Sequence, residues 1–411
     1  MTNEEKRAQK EERIAKAILL QEADRVPFAP MTNAFFMMGY GISTYDAMMD
    51  FRNIIPGVRN YISDYDPDGV FLAGLYGIKT LETLGTEFIH WPGATCDLPL
   101  NSPFQHTDGT YLLDDEFGEY ILDPTHFTLT KLMPRKHKNL KGLSKLNFRE
   151  TFDTCFFNDL TILADPEVRE AVDTLMQAAK YQKERAGQLA EVIGVIAGEG
   201  CPLLAQGTMC VPFDAYADSA RGIIRAVEDT MEFPDELEEI LDKIAEMNVD
   251  RILDMYKARG VKRVFIPLHC GVDEFMSPAA YERFYWPGLK KSIDGIIDRG
   301  MEPWVFCEGN YNTRLDVISD VPKGKVIYCF EKVDIRRAKE TVGKVACICG
   351  TVPTSLLSFG TPEQVERATK EQIDILAPGG GFIMNSSIII DNARHENMRV
   401  WRDTTEKYGK Y

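Results

Sequence analysis

The residues best suited to chemistry stand just after short apolar runs. His269 and Cys270 follow Arg263-Val-Phe-Ile-Pro-Leu268, and Glu308 and Asn310 follow Pro303-Trp-Val-Phe306 and Cys307. Glu199 lies in Ala197-Gly-Glu-Gly-Cys201, where flanking glycines let a ligand or a backbone approach closely. An imidazole titrates near neutrality and serves as acid, base or metal ligand; its structural alternative is a hydrogen bond to a neighbouring loop. A carboxylate directly after an apolar strand is costly to desolvate unless it is paired or liganded. Glu331 has a simpler reading, pairing with Arg336 or Arg337. Cys270, Cys307, Cys347 and Cys349 read as small buried hydrophobes.

Elements of a particular kind must carry these groups. Apolar strand-like runs occur at Arg25–Pro30, Gly69–Ala73, Val192–Ala197, Arg263–Leu268, Pro303–Phe306, Lys325–Phe330, Val345–Cys349 and Gly381–Met384. Capped helices separate most of them. Asp165-Pro166-Glu167 opens a long helix, and Ser277-Pro278 and Thr361-Pro-Glu-Gln364 open two more. Two helices are predicted from about Ala215 to Arg259, and the closing one from about Ala393 to Lys407. Strands alternating with helices imply a parallel sheet. Eight such units with no GxGxxG after the first strand predict an α/β fold, a (β/α)8 TIM barrel preceded by an N-terminal helix. Turn pairs and alternating segments such as Tyr111-Leu-Leu and Tyr120-Ile-Leu mark residues 91–140 as a β-hairpin insertion between strands two and three, within a single domain spanning 1–411.

In such a barrel the active site gathers at the carboxyl ends of the strands. The residues expected there are Asn33, Tyr76, Glu199, His269, Cys270, Glu308, Asn310, Glu331, Thr351, Asn385 and Ser386. Asn33–Tyr40, with Phe35, Phe36 and two methionines between Asn33 and Gly39, reads either as core packing or as a lid over a flat apolar ligand. Asn33, Phe35, Phe36, Tyr40, Tyr76, Asn310 and Asn385 are the expected substrate contacts.

The formal net charge of −16 argues against nucleic acid, because phosphate contacts need clustered Lys and Arg. No run of about 18 apolar residues predicts a membrane span, and the charged amphipathic N-terminus is unlike a signal peptide. Nine cysteines without a CxxC pair suit reduced thiols, so a cytoplasmic protein is expected.

Over nearly its whole length the chain resembles the uroporphyrinogen decarboxylase superfamily. The resemblance is strongest in FCEGNYNTRLDVISDVPKGKVIYCFEKVDIRRAKETVGKVACICGTVPTSLLSFGTPEQVE, with VD-x-x-x-AKE and GTVP as its motifs, and it extends to PLHCGVDEFMSPAAYERFYWPGLKK. The decarboxylases carry an arginine-bearing R-Q-A-G-R stretch after strand one, where this chain has Thr32-Asn-Ala-Phe-Phe-Met-Met-Gly39. A polycarboxylate substrate is therefore not expected. The cobalamin-dependent branch that acts on coenzyme M binds zinc through a His-x-Cys pair, matching Phe306-Cys307-Glu308 here, and a later Cys, matching Gly380. Two of those ligands are absent and the third is a glutamate.

The chain is most similar to the ether-cleaving first methyltransferases of corrinoid-dependent O-demethylases. That likeness implies methyl transfer from a methoxylated aromatic to the cobalt of a separate corrinoid protein, since this chain lacks the Asp-x-His-x-x-Gly signature of cobalamin-binding domains. Family relatives are often dimers, so a homodimer is a further expectation. Two devices could activate the ether oxygen. One is zinc held by His269 and Glu308, with Glu199 or Cys270 as third ligand. The other is a general acid, Glu308 or Glu199, with a raised pKa. Transfer from a methylcorrinoid to a thiol or to tetrahydrofolate, a lyase, and an inactive barrel that only binds a corrinoid partner are the alternative readings.

Overall fold

A computed structural model describes the chain apart from residues 33, 73, 94–96 and 149–155 and the side chains of 156–159 and 248. Its centre is a run of parallel strands hydrogen-bonded in chain order: Gly207–Thr208, Arg263–Leu268, Glu302–Asn310, Ile327–Lys332, Cys347–Cys349 and Phe382–Ile383. Two shorter stretches close the ring. Residues 26–29 bridge Phe28 to Met384, and residues 68–71 bridge Val70 to Leu203, both in parallel sense. The first and second stretches meet through Asp68, whose N–H donates to the Phe28 carbonyl at 2.7 Å while its carboxylate accepts from the Phe28 N–H at 2.7 Å. The expected eight-stranded barrel is thus present.

Strand periodicity sorts the side chains into two cores. Phe265, Trp304, Phe306, Ile327, Cys329, Cys347, Cys349 and Ile383 fill the barrel interior. Val264, Ile266, Leu268, Val305, Cys307, Tyr328 and Phe330 face the surrounding helices. Helix Asn3–Ile18, opened by a Thr2/Glu5 capping box, packs Ile14, Ala17 and Ile18 against the interior set and so plugs the amino end of the barrel.

Two local expectations are corrected, and one open reading is decided. Val192–Ala197 is the end of a 33-residue helix, Pro166–Gly198, and the third strand begins after it, at Leu203. Val192 and Ile196, four residues apart, are the buried pair, so this β-branched run shows one apolar face in a helix. In the insertion, Ile89–His90 and Gln105–His106 do form an antiparallel ribbon, but Phe117–Leu122 and Met133–Lys136 are helical, as is the Thr128–Leu132 π-turn. Tyr111 and Leu112 instead bond through their N–H groups to the Ala220 carbonyl. Of the two readings of the run at 33–40, core packing holds for its described residues. Phe35–Met38 is a short helix whose Phe35 and Phe36 are 1% exposed, packed beside helix Ile55–Tyr65. Among the described residues no helix is long and apolar enough to cross a membrane.

Candidate active site

The register of two neighbouring strands brings the leading pair together. Leu268 pairs with Cys307, and both face outward, so the next residues, His269 and Glu308, turn toward the barrel axis at the same level. His269 Nε2 lies 3.8 Å from Glu308 Oε1, and their side chains are 32% and 38% exposed at the mouth. Cys307 pairs with Phe330 on the other side, which sets Glu331 beside this pair. Its carboxylate accepts from the Gly309 N–H at 2.6 Å rather than pairing with Arg336 or Arg337. Gly309 takes φ +76°, a conformation that favours glycine, and this lets the chain turn straight after Glu308.

Two aspartates complete the cluster. Both come from the helical segment after strand three, Pro212–Tyr216 continued by the π-turn Ala217–Arg221. Asp218 Oδ2 is 2.7 Å from His269 Nδ1, which directs Nε2 at Glu308. Asp214, wholly buried, accepts from the N–H groups of His269 and Cys270, each at 3.0 Å, and from the Tyr285 hydroxyl at 2.7 Å. Buried Arg221 holds the segment's far end through Asp229 at 2.8 Å.

These contacts set the charge states. Burial works against an imidazolium at His269, but the Asp218 hydrogen bond and the charges of Asp214, Asp218 and Glu308 outweigh it and lift its pKa to about 9. Burial pushes the Glu308 carboxyl up to about 7; His269 opposes this, while Asp214, Glu331 and Asp218 add to it. The mouth therefore holds a protonated imidazole beside a carboxyl group that gives up its proton near neutrality.

The insertion supplies a wall. Tyr76, Phe104 and His106 form a corner with ring centroids 4.9, 5.8 and 5.6 Å apart and steep interplanar angles. Burial lowers the pKa of His106, and the charges of Asp218 and His269 act on it, which ties this corner to the cluster. Tyr76 is 37% exposed, so its ring is open to solvent.

Of the residues expected at the site, His269, Glu308 and Glu331 are brought together, and Tyr76 stands in the aromatic corner with His106. Asn310 ends its strand near Glu308, but its side-chain oxygen accepts from Asn312 at 2.7 Å and shapes the loop. Asn385 is buried, accepting from the Met31 N–H at 2.7 Å and donating to Cys329 Sγ at 3.3 Å. Tyr40 donates to Asp64 at 2.8 Å, packed with Phe35 and His395. Phe35 and Phe36 belong to the core, and Asn33 lies outside the described residues. Glu199 caps the long helix before strand three, ion-paired to Arg59 at 3.1 Å, so it stands at the opposite end of the barrel. Asp214, Asp218 and His106 were missed. The two aspartates follow the true third strand, and displacing that strand onto a helix hid them; His106 carried no signal beyond its place in the insertion.

A zinc site does not fit this arrangement. Among the described residues no three His, Cys, Asp or Glu side chains converge as metal ligands. Glu199 stands at the opposite end of the barrel, and Cys270 and Cys307 are fully buried, their thiols pushed up by burial. Gly380 is no substitute ligand position. It precedes strand eight, and a Cβ there would meet the Gln21 backbone at 2.4 Å.

The uroporphyrinogen decarboxylase (URO-D) family matches residues 156–408. Two curated relatives are both described as methylcobamide:CoM methyltransferase MtbA. The one from Methanosarcina mazei is 26% identical over 216 residues, 52% of this chain and 59% of its own length. The one from Methanosarcina acetivorans is 28% identical over 114 residues, 27% of this chain and 33% of its own length. The chain thus spans between a third and three fifths of these relatives. A solved methyltransferase from Methanosarcina mazei shares the fold, with a TM-score of 0.61 at 16% identity over 96% of this chain and 98% of that one.

Proposed function

The chain belongs to the uroporphyrinogen decarboxylase family, and from that premise we propose that it is a corrinoid-dependent methyltransferase that demethylates a methoxylated aromatic. The observation that carries this reading is the Glu308 carboxyl, held protonated up to about pH 7 beside the ring of His269. The relatives' described activity supports methyl transfer involving a cobamide. Asp218, Glu308 and Glu331 make the mouth acidic, and no arginine stands in residues 32–39, so a polycarboxylated tetrapyrrole is a poor fit.

An aryl methyl ether resists cleavage because phenolate leaves poorly. A reduced corrinoid on a partner protein would be the co-substrate and supply the nucleophile, the cobalt(I) electron pair taking the methyl carbon while the oxygen–carbon pair stays on oxygen. Glu308 donates its proton to that oxygen as the bond breaks, so a neutral phenol departs. His269, held by Asp218, supplies the positive charge that stabilises the carboxylate left behind. The Tyr76, Phe104 and His106 corner offers ring surface for a flat substrate.

The test is incubation with the reduced corrinoid protein and a panel of methoxybenzenes, following conversion of the cobalt(I) spectrum to methylcobalt together with phenol release. Glu308→Gln is expected to lose at least about 100-fold in rate while remaining folded. No spectral change with any aryl ether would end the aromatic reading. The relatives' description favours a second reading, methyl transfer from a methylcorrinoid to a thiol. Demethylation of a methylated corrinoid protein by added thiol, with no reaction toward ethers, would establish it instead.

A further inference from the structure

We propose that Asp214 is a positioning residue that sets the height and direction of His269 from inside the fold. Asp214 lies buried below the mouth and reaches the site only through backbone, and its two oxygens take three donors. Oδ2 accepts from the His269 N–H at 3.0 Å and the Tyr285 hydroxyl at 2.7 Å, and Oδ1 accepts from the Cys270 N–H at 3.0 Å. The first two residues after strand four are therefore hung on one buried carboxylate.

Asp214 and Asp218 lie one turn apart on the same segment, so they face the same neighbour. The first grips the backbone of His269 and the second grips its ring, at 2.7 Å from Nδ1. A residue held at both ends has little freedom to rotate Nε2 away from Glu308. Tyr285 extends the grip into the core. Its ring lies 5.2 Å from that of Tyr281, and both side chains are 1% exposed or less. A Cβ on Gly271 would meet the Tyr285 ring at 2.7 Å, so the turn after Cys270 packs directly on it. The groups facing His269 are Asp214 and Asp218 from this segment, Glu308 from strand five and His106 from the insertion.

The test uses Asp214→Asn and Tyr285→Phe. A carboxamide has one acceptor oxygen, so asparagine presents an NH2 group to at least one N–H or O–H donor. If Asp214→Asn folds, kcat falls about 100-fold with KM little changed, as expected for a misplaced reacting group. Tyr285→Phe removes one donor without adding a conflict, and costs kcat about tenfold. The second readout needs no substrate. The proton on His269 Nδ1, bonded to Asp218, gives a downfield NMR resonance in the wild type, assigned by its loss in Asp218→Asn. It shifts or broadens in both Asp214→Asn and Tyr285→Phe. The kcat measurement rests on the proposed methyl transfer, whereas the resonance decides the role of Asp214 even if that reaction is not found. Should Asp214→Asn not fold, Tyr285→Phe decides alone. A folded variant with that resonance unchanged overturns the proposal.

Discussion

At the scale of single residues, the proposed chemistry rests on two groups whose proton affinities are both raised. Glu308 is an acid, so it holds its proton below about pH 7 and loses it above. As the proton donor it makes turnover fall as pH rises through about 7, while His269, with a pKa of about 9, stays charged across that range. Single-turnover rates against pH test this, and a profile flat through neutrality removes Glu308 from the role. Linkage to folding runs in opposite senses for the two. The raised His269 pKa contributes stability that is full below its ordinary 6.5 and lost as pH rises through about 9. Glu308 instead costs stability as pH climbs from its ordinary 4.5 to about 7. His269 and Glu308 were legible in the sequence because each follows an apolar strand, where period-two alternation and the strand-end rule agree. Glu199 followed an equally apolar run, but that run is helix, and the residue stands at the other end of the barrel.

At the scale of elements, the first two strands are short and lean on a buried charge cluster. Asp68, fully buried, accepts from Arg25 at 2.6 Å, from Arg13 and from the Phe28 N–H. Arg13 belongs to the N-terminal helix, so one carboxylate joins the plug to the first two strands. Removing it leaves two guanidinium groups without their common partner. Asp68→Ala is expected to cost about 3–5 kcal/mol of stability, read by chemical denaturation; a loss below about 1 kcal/mol, the scale of an exposed pair, would show that the cluster is not needed. Such a contact joins positions 55 apart in sequence between the helix and the strand, so no local pattern announces it. The same limit explains the third strand. Val192–Ala197 is apolar and β-branched enough for either conformation, and only its buried side, against the rest of the fold, selects helix.

For the whole molecule, the barrel is unevenly stitched. Arg263–Leu268, Glu302–Asn310 and Ile327–Lys332 pair over long registers, whereas residues 26–29 and 68–71 join their neighbours through isolated bridges. Native-state hydrogen exchange should therefore open the seam at lower free energy than the amides of Arg263–Leu268 and Ile327–Lys332. Equal protection around the ring would contradict that reading. The sequence by itself determined the barrel, the helix starts and the placing of His269 and Glu308 at strand ends, because alternation, capping and strand-end position are local and repeat along the chain. The tertiary structure alone decided that Asp214 and Asp218 hold the histidine, that the insertion brings His106 to the mouth, and that the aromatic run Phe35–Tyr40 is core rather than lid. Each of these depends on contacts between segments far apart in the chain, and an apolar or acidic side chain carries no mark of which distant surface it will meet.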